Sequence, residues 1–360
     1  MMNGIKIALG LLLLLFSCKT ELDKPRRILP AQKGTEMVDA ETMADIYNKV
    51  KTPFKYGIVL RGSETEMIDC PNVFHHLGRW YMIYIAFDGR GYETRLAKSD
   101  DLLTWIPLGA ILKRHGVGWD AEQAAAGLAL IEYRWEGTWE LQTHAGRYWL
   151  SYLGGPAPGY ETPPLSIGLA STKDPVAAQE WQRESDEPVL TPNQSDSREW
   201  EKDTLFKSHI LHDPEQKLGF PFVMFYNARQ QGPQVERIGL AVSADLQHWQ
   251  RYGTDPVIDH GPQPGICGDP QIVKIGNVWV MFYFGAFWRP KAFDTFACSY
   301  DLIHWTDWNG PHLIEPSEPW DDTYAHKPWL VTHQGVVYHF YCAVGNEGRV
   351  IALATSKQLR

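Results

Sequence analysis

The stretch that decides the fold is Ile238-Gly239-Leu240-Ala241-Val242-Ser243-Ala244-Asp245-Leu246-Gln247-His248-Trp249. Its apolar run predicts a β-strand. Its Ser-x-Asp sequence predicts a turn, because Ser and Asp side chains bond to nearby backbone N–H groups in turns. The Trp that follows the Ser by six places begins the next strand and can pack back over the turn. We expect these residues to build the scaffold rather than a site.

The same unit recurs along the chain. Two clear copies occupy residues 95–105 and 296–305, and two weaker copies occupy residues 167–174 and 351–357. Recurrence at a spacing of about 40 to 70 residues is typical of a propeller or a similar array. The five copies therefore predict an architecture of repeated sheets.

A second half-motif of strand, turn and strand precedes each of these units. It begins at Asp69, Lys207, Asp269 and Lys327 in four of the copies. In the remaining copy the second strand is clear at residues 146–152. Its first strand lies either at residues 136–142 or in the stretch after Glu122.

Four strands taken five times predict an all-β, five-bladed β-propeller with four-stranded blades. The strand at residues 56–60 has no partner in its own neighbourhood. We expect it to pair with the last blade and close the ring, which would remove an exposed sheet edge.

The composition fits a soluble globular core and excludes some functions. The chain has 360 residues, a formal charge of −9 and a pI near 5.8. A nucleic-acid-binding protein would show a basic face, so we expect no nucleic-acid partner. Fifteen Trp and sixteen Tyr residues can fill propeller blades or form platforms for sugar rings.

The N-terminus resembles an export signal. Its apolar run, residues 7–16, is too short to span a bilayer. The run ends at Leu15-Phe16-Ser17-Cys18, which resembles a bacterial lipoprotein signal with Cys18 as the lipidated residue; a plain secretory signal is the alternative. We therefore expect a signal peptide (1–17), a tether (18–50) with a short helix at residues 39–50, and a catalytic propeller (51–360) anchored by lipid to the outer membrane, in the periplasm or at the cell surface.

The other cysteines are Cys70, Cys267, Cys298 and Cys342. Cys298 and Cys342 lie in apolar strand patterns, which favours buried thiols over a disulfide framework. The spacing of Cys and His residues does not suggest a zinc site. We expect neither a cofactor nor a resident metal ion.

Charged residues begin the first strand of several predicted blades. In a propeller these strands line the central channel, and their leading residues form a ring at one mouth. The ring consists of Asp69, Lys207, Asp269 and Lys327, with His326 beside the last. Charged side chains are rarely directed into a core without a purpose, so the ring predicts a site for a polar ligand.

These motifs resemble one superfamily. The Asp-x-Pro strand start, the Gly-x-Trp-Tyr-Met-x-Tyr strand and the Ser-x-Asp-Leu-x-x-Trp hairpin are similar to those of the five-bladed propeller glycoside hydrolases of families 43, 32, 68, 62, 117 and 130. The resemblance covers residues 55–360. It implies hydrolysis of an oligosaccharide or polysaccharide by paired carboxyl groups, one a general acid and the other a base or nucleophile.

The resemblance also implies roles for particular residues. Asp69 matches the first-blade base or nucleophile, and Asp269 is a second candidate on an opposing blade. The third blade supplies the general acid in families 43 and 32, but Lys207 stands at that position here. Glu122 and Glu236 are the two candidates for the acid.

Further residues are candidates for substrate binding. Polar side chains near the ring could bind hydroxyl groups or a substrate carboxylate, and aromatic side chains in the loops could stack on sugar faces. The candidates are Lys207, His209, His326, Lys327, Asp203, Arg237, Trp119 and Trp288.

Two alternatives to the hydrolase remain open at this point. The off-pattern Lys207 favours a non-catalytic glycan-binding lipoprotein. A phosphorylase resembling some members of family 130 would need a basic phosphate pocket, which Lys207, Lys327 and Arg237 could supply. The pair of lysines also makes an acidic sugar, such as a uronate, a possible substrate.

Overall fold

The computed structural model describes residue 28 and residues 37–359, apart from residues 178, 180, 233, 262 and 263. Cys18 and the predicted signal segment lie outside the described residues. The described chain is all-β apart from one α-helix, α1 (Ala40–Val50), and two single-turn 3₁₀ segments, Gly118–Asp120 and Glu199–Glu201. No helix in this part of the chain is long and apolar enough to cross a membrane.

The strands follow one another in sets of four along the chain. They are β1 (Phe54–Leu60), β2 (Met67–His76), β3 (Arg79–Phe87), β4 (Tyr92–Ser99), β5 (Ile106–Leu112), β6 (Gln123–Ala129), β7 (Tyr148–Gly155), β8 (Ser166–Thr172), β9 (Gln182–Arg183), β10 (Thr204–His212), β11 (Phe222–Arg229), β12 (Val235–Ser243), β13 (Trp249–Arg251), β14 (Gly265–Ile275), β15 (Val278–Ala286), β16 (Ala292–Ser299), β17 (Thr306–Asp307), β18 (Tyr324–His333), β19 (Val336–Gly345) and β20 (Gly348–Thr355).

Antiparallel pairing groups these strands into units. Unit one is β2–β5, unit two β6–β9, unit three β10–β13 and unit four β14–β17. Unit five has the order β18-β19-β20-β1, so the first strand pairs with the last as predicted. Short parallel bridges from β6 to β10 and from β12 to β14 join units two to four into one sheet.

The first strand of unit two is β6, which is the stretch after Glu122. The other candidate, residues 136–142, forms isolated bridges instead. There the Trp139 backbone carbonyl accepts a hydrogen bond from the His75 N–H of unit one, at 2.9 Å. The Trp139 indole N–H donates to Thr332 Oγ1 of unit five, at 3.1 Å, and the Trp135 N–H donates to the Lys274 carbonyl of unit four, at 2.9 Å. This segment therefore ties three units together at one end of their first strands.

The repeated Ser-x-Asp turn forms as predicted. In unit three the Asp245 N–H donates to Ser243 Oγ. Asp245 Oδ1 accepts hydrogen bonds from the backbone N–H groups of Gln247 and His248. Leu246 has a φ of +69°, and the Trp249 indole N–H donates to its carbonyl at 2.6 Å. Units one and four repeat the arrangement. Short-range hydrogen bonds thus fix the turn in each unit.

The predicted short helix is present as α1, with the Asp39 side chain accepting a hydrogen bond from the Thr42 N–H at 2.8 Å. Its inner face is buried, and Tyr47 stacks on Trp308 of unit four with ring centroids 4.9 Å apart. The residues just before β1 are therefore packed onto the sheet units. Cys70, Cys267, Cys298 and Cys342 are buried free thiols.

Candidate active site

A pocket of about 320 Å³ opens where the first strands of units one, three, four and five meet. Its polar lining residues are Glu161, Lys207, Asn227, Arg229, Gln234, Glu236, Asp269, His326, Lys327 and Arg349. Apolar side chains such as Phe206, Phe284 and Phe287 form its walls. At its floor the space narrows to a cavity of about 10 Å³. The pocket is therefore blind, with polar groups gathered at its base.

Bulges in four first strands direct side chains into this pocket. Three of them leave an X-Pro pair out of the ladder, namely Cys70-Pro71 in β2, Asp269-Pro270 in β14 and Lys327-Pro328 in β18, and the fourth leaves out Phe206-Lys207 in β10. The residue before the proline has a φ of +48°, +51° or +64°, respectively. Such strained backbone is concentrated at functional sites. All three side chains line the pocket.

The bulges correct the alignment that the sequence suggested. Asp269 is equivalent to Cys70, Phe206 and Lys327, whereas Asp69 precedes that position by one residue and Lys207 follows it by one. Asp69 is therefore completely buried beside the pocket and does not line it. Its Oδ2 accepts hydrogen bonds from Lys327 Nζ at 2.8 Å and from Arg349 Nη1 at 2.6 Å. Burial opposes ionisation of Asp69, but these two cations outweigh it and hold its pKa well below the usual value. Asp69 is an ionised anchor for two cations, which does not fit the predicted base or nucleophile.

Glu236 lies on β12 and faces the pocket with a side chain that is almost completely buried. Asn227 Nδ2, on the neighbouring strand β11, donates to its Oε2 at 3.2 Å. Burial, with a further contribution from the charge of Glu161, raises the pKa of Glu236 to about 8. A carboxyl group with this pKa is protonated at neutral pH, which a general acid requires.

Glu161 is the second carboxyl group at the pocket and was not among the sequence candidates. It lies in the loop between β7 and β8, with a φ of +48°. The loop is held by the N–H of Gly159, which donates to the Arg90 carbonyl at 2.7 Å, and by Gln123 Nε2, which donates to the Gly159 carbonyl at 2.7 Å. Burial raises the pKa of Glu161, and the Lys327 ammonium, 3.7 Å from Oε1, opposes that rise.

Asp269 and Lys207 form part of the floor. The Cys70 thiol donates to Asp269 Oδ2 at 3.2 Å. Lys207 Nζ donates to the Ala126 carbonyl at 2.8 Å, and its side chain passes over Gly127, where an added Cβ would lie 3.2 Å from Nζ. A glycine at that position leaves room for the lysine head. The floor therefore presents a carboxyl group, from Asp269, and an amino group, from Lys207, to a ligand.

Six sequence candidates come together at the pocket or directly against it. Glu236, Asp269, Lys207, His326 and Lys327 line it, and Asp69 lies beside it. Burial lowers the pKa of His326 to about 3, so this imidazole is neutral at neutral pH.

Asp203 and Trp288 support the pocket from behind. Asp203 accepts a hydrogen bond from Arg229 Nε at 2.7 Å, and Arg229 lines the pocket. The Trp288 indole stacks on His260 and donates to the carbonyl of Ile266, a wall residue, at 3.0 Å. Neither side chain lines the pocket itself.

Glu122, the other predicted general acid, lies outside the pocket. Its carboxylate forms two hydrogen bonds with Arg90, at 2.6 and 2.7 Å, which lower its pKa. A general acid needs the opposite shift, so the geometry does not support this role. Trp119 is also away from the pocket, because it stacks on Tyr152 of unit two.

His209 and Arg237 are likewise outside the pocket. His209 is buried beside Trp329, with ring centroids 5.7 Å apart, and burial lowers its pKa to about 3. Arg237 bonds to Gln230 and to Asp259, at 2.8 and 3.0 Å. Neither side chain lines the pocket.

Besides Glu161, sequence reasoning missed Arg349 and Tyr160. Arg349, on β20, lines the pocket while bonded to Asp69. The Tyr160 ring lies 5.4 Å from the Arg349 guanidinium carbon. Tyr160 and Glu161 belong to a Pro- and Gly-rich loop, residues 154–164, outside the repeated motifs. The neighbouring carboxylate and aromatic residue in this loop were the sequence feature that could have indicated a functional site.

A blind pocket that holds one carboxyl group protonated at neutral pH beside a second carboxyl group has the groups that a glycosidase needs. Within the described residues, no group of three or more His, Cys, Asp or Glu side chains could hold a metal ion.

Comparison with known proteins agrees with that class. The chain is 46% identical to a solved structure of BT0996, which is described as a complex with RGII, and the TM-score is 0.86; the match covers 89% of this chain and 96% of that one. A second solved structure, described as "Glycoside hydrolase", matches with the same values. The protein belongs to the glycoside hydrolases and is a glycosidase.

More distant structures share the fold. A thermostable family-43 glycoside hydrolase matches at 16% identity with a TM-score of 0.60, covering 83% of this chain and 91% of that one. Zg3597, a family 117 glycoside hydrolase from the marine bacterium Zobellia galactanivorans, matches at 15% identity with a TM-score of 0.59, covering 87% and 92%. No protein-family model and no curated protein matches the sequence.

Proposed function

We propose that the five units are the blades of a propeller, closed by the pairing of β1 with β20. Contacts between successive units support a ring. Thr94 Oγ1 of unit one donates to a unit-two carbonyl, and Ser151 Oγ of unit two donates to a unit-three carbonyl. Gln271 Nε2 of unit four donates to unit five at 2.8 Å, and the Trp329 indole of unit five donates to the Val73 carbonyl of unit one at 2.9 Å.

Within that ring, we propose that Glu236 is the general acid and Glu161 the base or nucleophile. The observation that carries the assignment is that burial raises the pKa of both carboxyl groups in one pocket, and that the charge of Glu161 raises the pKa of Glu236 further. The Lys327 ammonium favours ionisation of Glu161. The proton that the pair retains at neutral pH therefore resides on Glu236, which sets the two roles apart.

The chemistry follows from these protonation states. Glu236 transfers its proton to the glycosidic oxygen as the bond to the anomeric carbon breaks, and the leaving group departs as an alcohol. Glu161 either attacks the anomeric carbon or removes a proton from the attacking water. In the first case Glu236, now ionised, deprotonates the water that releases the sugar. Asp269 and Lys207 would orient hydroxyl groups from the floor.

We propose a terminal sugar of an oligosaccharide as the substrate. The pocket is blind, and its volume of about 320 Å³ lies at the small end of the ~300–1,000 Å³ typical of ligand sites. It therefore has room for one sugar ring and part of a second. The relative with 46% identity is described as a complex with RGII, which makes an oligosaccharide from RGII the first substrate to test.

The experiment is sugar release from the RGII oligosaccharide and a panel of aryl glycosides, with and without phosphate. Hydrolysis independent of phosphate supports the proposal. A requirement for phosphate would instead indicate a phosphorylase; against that, Arg237 lies outside the pocket and Lys327 is bound to Asp69. Proton NMR of the first-formed anomer distinguishes retention from inversion, which require carboxyl separations of roughly 5–5.5 Å and 6.5–9.5 Å, respectively.

We also propose that the enzyme is exported and lipid-anchored through Cys18, with residues 18–50 as the tether and residues 51–360 as the catalytic domain. The support is the apolar run that ends at Cys18. Metabolic labelling with a fatty-acid analogue, compared between the natural chain and Cys18→Ala, tests the anchor. Equal labelling of the two chains would contradict it.

A further inference from the structure

A second cavity, of about 440 Å³, opens next to the active-site pocket. It lies between the segment that joins β1 to β2 and the beginning of β20. Arg349 lines both cavities, so the two cavities lie next to each other at this residue. A molecule held in the active-site pocket can leave it only through the mouth, because the floor narrows to about 10 Å³.

Arg349 is held rigidly while part of its guanidinium group remains available. Its Nη1 donates to Asp69 Oδ2 at 2.6 Å, and the side chain is 14% exposed. The Tyr160 ring lies 5.4 Å from the guanidinium carbon. Nε and Nη2 of Arg349 donate no hydrogen bond to the described residues. Two donors at the boundary between the cavities are thus positioned by a buried carboxylate and an aromatic face.

The lining of the second cavity suits a neutral, hydroxyl-rich ligand. It presents the Thr65 hydroxyl group, the Ser63 hydroxyl group, which already donates to Glu66 Oε2 at 2.8 Å, and the carboxylates of Glu64 and Glu66. Met67 supplies an exposed apolar surface. Arg61 and Glu347 lie 3.6 Å apart and are both about half exposed, so their ion pair is weak and each can exchange it for sugar hydroxyls. Charges of both signs line the cavity, which does not favour an anionic ligand.

We propose that this second cavity binds the leaving-group side of the oligosaccharide, while the active-site pocket holds the terminal sugar. The proposal rests on the proposed function, since it assigns the part of the substrate that lies beyond the cleaved bond. Arg349 then contacts the sugar units on both sides of that bond. The enzyme reads the second sugar as well as the terminal one, and the second cavity selects among oligosaccharides that share a terminal residue.

The test fills the second cavity and leaves the pocket intact. Thr65→Trp places an indole in the second cavity, and Thr254→Trp, at an exposed position in unit three outside both cavities, is the matched control. We expect kcat/KM of Thr65→Trp to fall about tenfold or more on the oligosaccharide, since a tenfold change needs only ~1.4 kcal/mol. It should stay within about twofold on the glycosyl fluoride of the same terminal sugar, because fluoride is too small a leaving group to occupy the second cavity. The control should be unchanged on both.

An equal fall on both substrates, or no fall on the oligosaccharide, would overturn the proposal. The proposed function is tested separately, by measuring whether the natural enzyme releases sugar from the aryl glycosides and from the RGII oligosaccharide. If neither is cleaved, calorimetric titration of the RGII oligosaccharide decides the role of the second cavity: weaker binding to Thr65→Trp alone supports it. Equal binding to both variants, or no binding to the natural protein, overturns it.

Discussion

Replacing Glu236 with glutamine tests the assignment of the general acid most directly. Glutamine keeps the size of the side chain. Its side-chain carbonyl can accept the hydrogen bond that Asn227 Nδ2 donates to Glu236 Oε2, at 3.2 Å, in the natural protein. It removes the transferable proton. Because general-acid catalysis contributes ~10²–10⁴-fold, kcat/KM on the oligosaccharide should fall by that factor.

The fall in kcat/KM caused by Glu236→Gln should depend on the leaving group and on pH. A dinitrophenyl glycoside leaves without protonation, so its hydrolysis should fall by less than about tenfold in Glu236→Gln. With a pKa of about 8, Glu236 in the natural enzyme is about nine-tenths protonated at pH 7 and about one-tenth at pH 9. The alkaline limb of kcat/KM should therefore have a midpoint near pH 8.

The assay is initial-rate kinetics of the natural enzyme and of Glu236→Gln on both leaving groups between pH 4 and 10. The alkaline limb should be present in the natural enzyme and absent from the variant. A variant that loses equal activity on both leaving groups, or that retains the alkaline limb, would refute the assignment. A circular-dichroism spectrum of the variant controls for loss of the fold.

Three further variants test the remaining assignments. Glu161→Ala should lower kcat at least ~10³-fold, and added azide, which fits the space left by the carboxylate, should restore turnover and report by its product anomer which role Glu161 plays. Asp69→Asn leaves Lys327 and Arg349 buried beside a neutral group and should cost about 3–5 kcal/mol, which for a domain of this size is a fall in Tm of roughly 4–7 °C by calorimetry. Because the pKa of Asp69 is lowered on folding, this difference in stability should be present above pH 3.8 and shrink below it; a pH-independent difference would contradict the ion cluster. Glu122→Gln should retain activity within about twofold, and a large loss would reinstate it as a candidate acid.

The scaffold was largely predictable because its signals are local. The Ser-x-Asp turn is held by hydrogen bonds between residues two and three places apart, so the sequence alone specifies it. The pairing of the first and last strands followed from a physical requirement, since an unpaired edge strand at Phe54–Leu60 needs a partner. The stretch after Glu122 was correctly one of two candidates for a first strand, but only tertiary packing distinguished it from residues 136–142.

The site was less predictable because bulges depend on pairing. Asp69 and Asp269 each stand shortly before a proline near the start of a first strand, and the one-place offset between them arises where an X-Pro pair leaves the ladder. A shift of one residue reverses the direction of a side chain. Asp69, the sequence candidate for the base or nucleophile, is therefore a buried ion-pair partner in the structure, and Cys70 occupies the position equivalent to Asp269.

Residues outside the repeats were the hardest to assign. Glu161 comes from a loop that no repeated motif aligns, and its position depends on contacts with Arg90 and Gln123. Glu236 was identified as a carboxylate near the third unit, but its burial, which keeps it protonated at neutral pH, is a property of the folded chain. Trp119 and Trp288 show the reverse case, because aromatic residues suited to sugar stacking pack against Tyr152 and His260 instead.

The pairing of β1 with β20 has a consequence for biosynthesis. Thr355 Oγ1 bonds to the carbonyl of Phe54, which lies 301 positions earlier, so the contact cannot form until nearly the whole polypeptide has left the ribosome. Long-range contacts of this kind slow folding. A nascent chain interrupted before Gly348 would therefore leave Phe54–Leu60 without the strand that it pairs with in the folded protein.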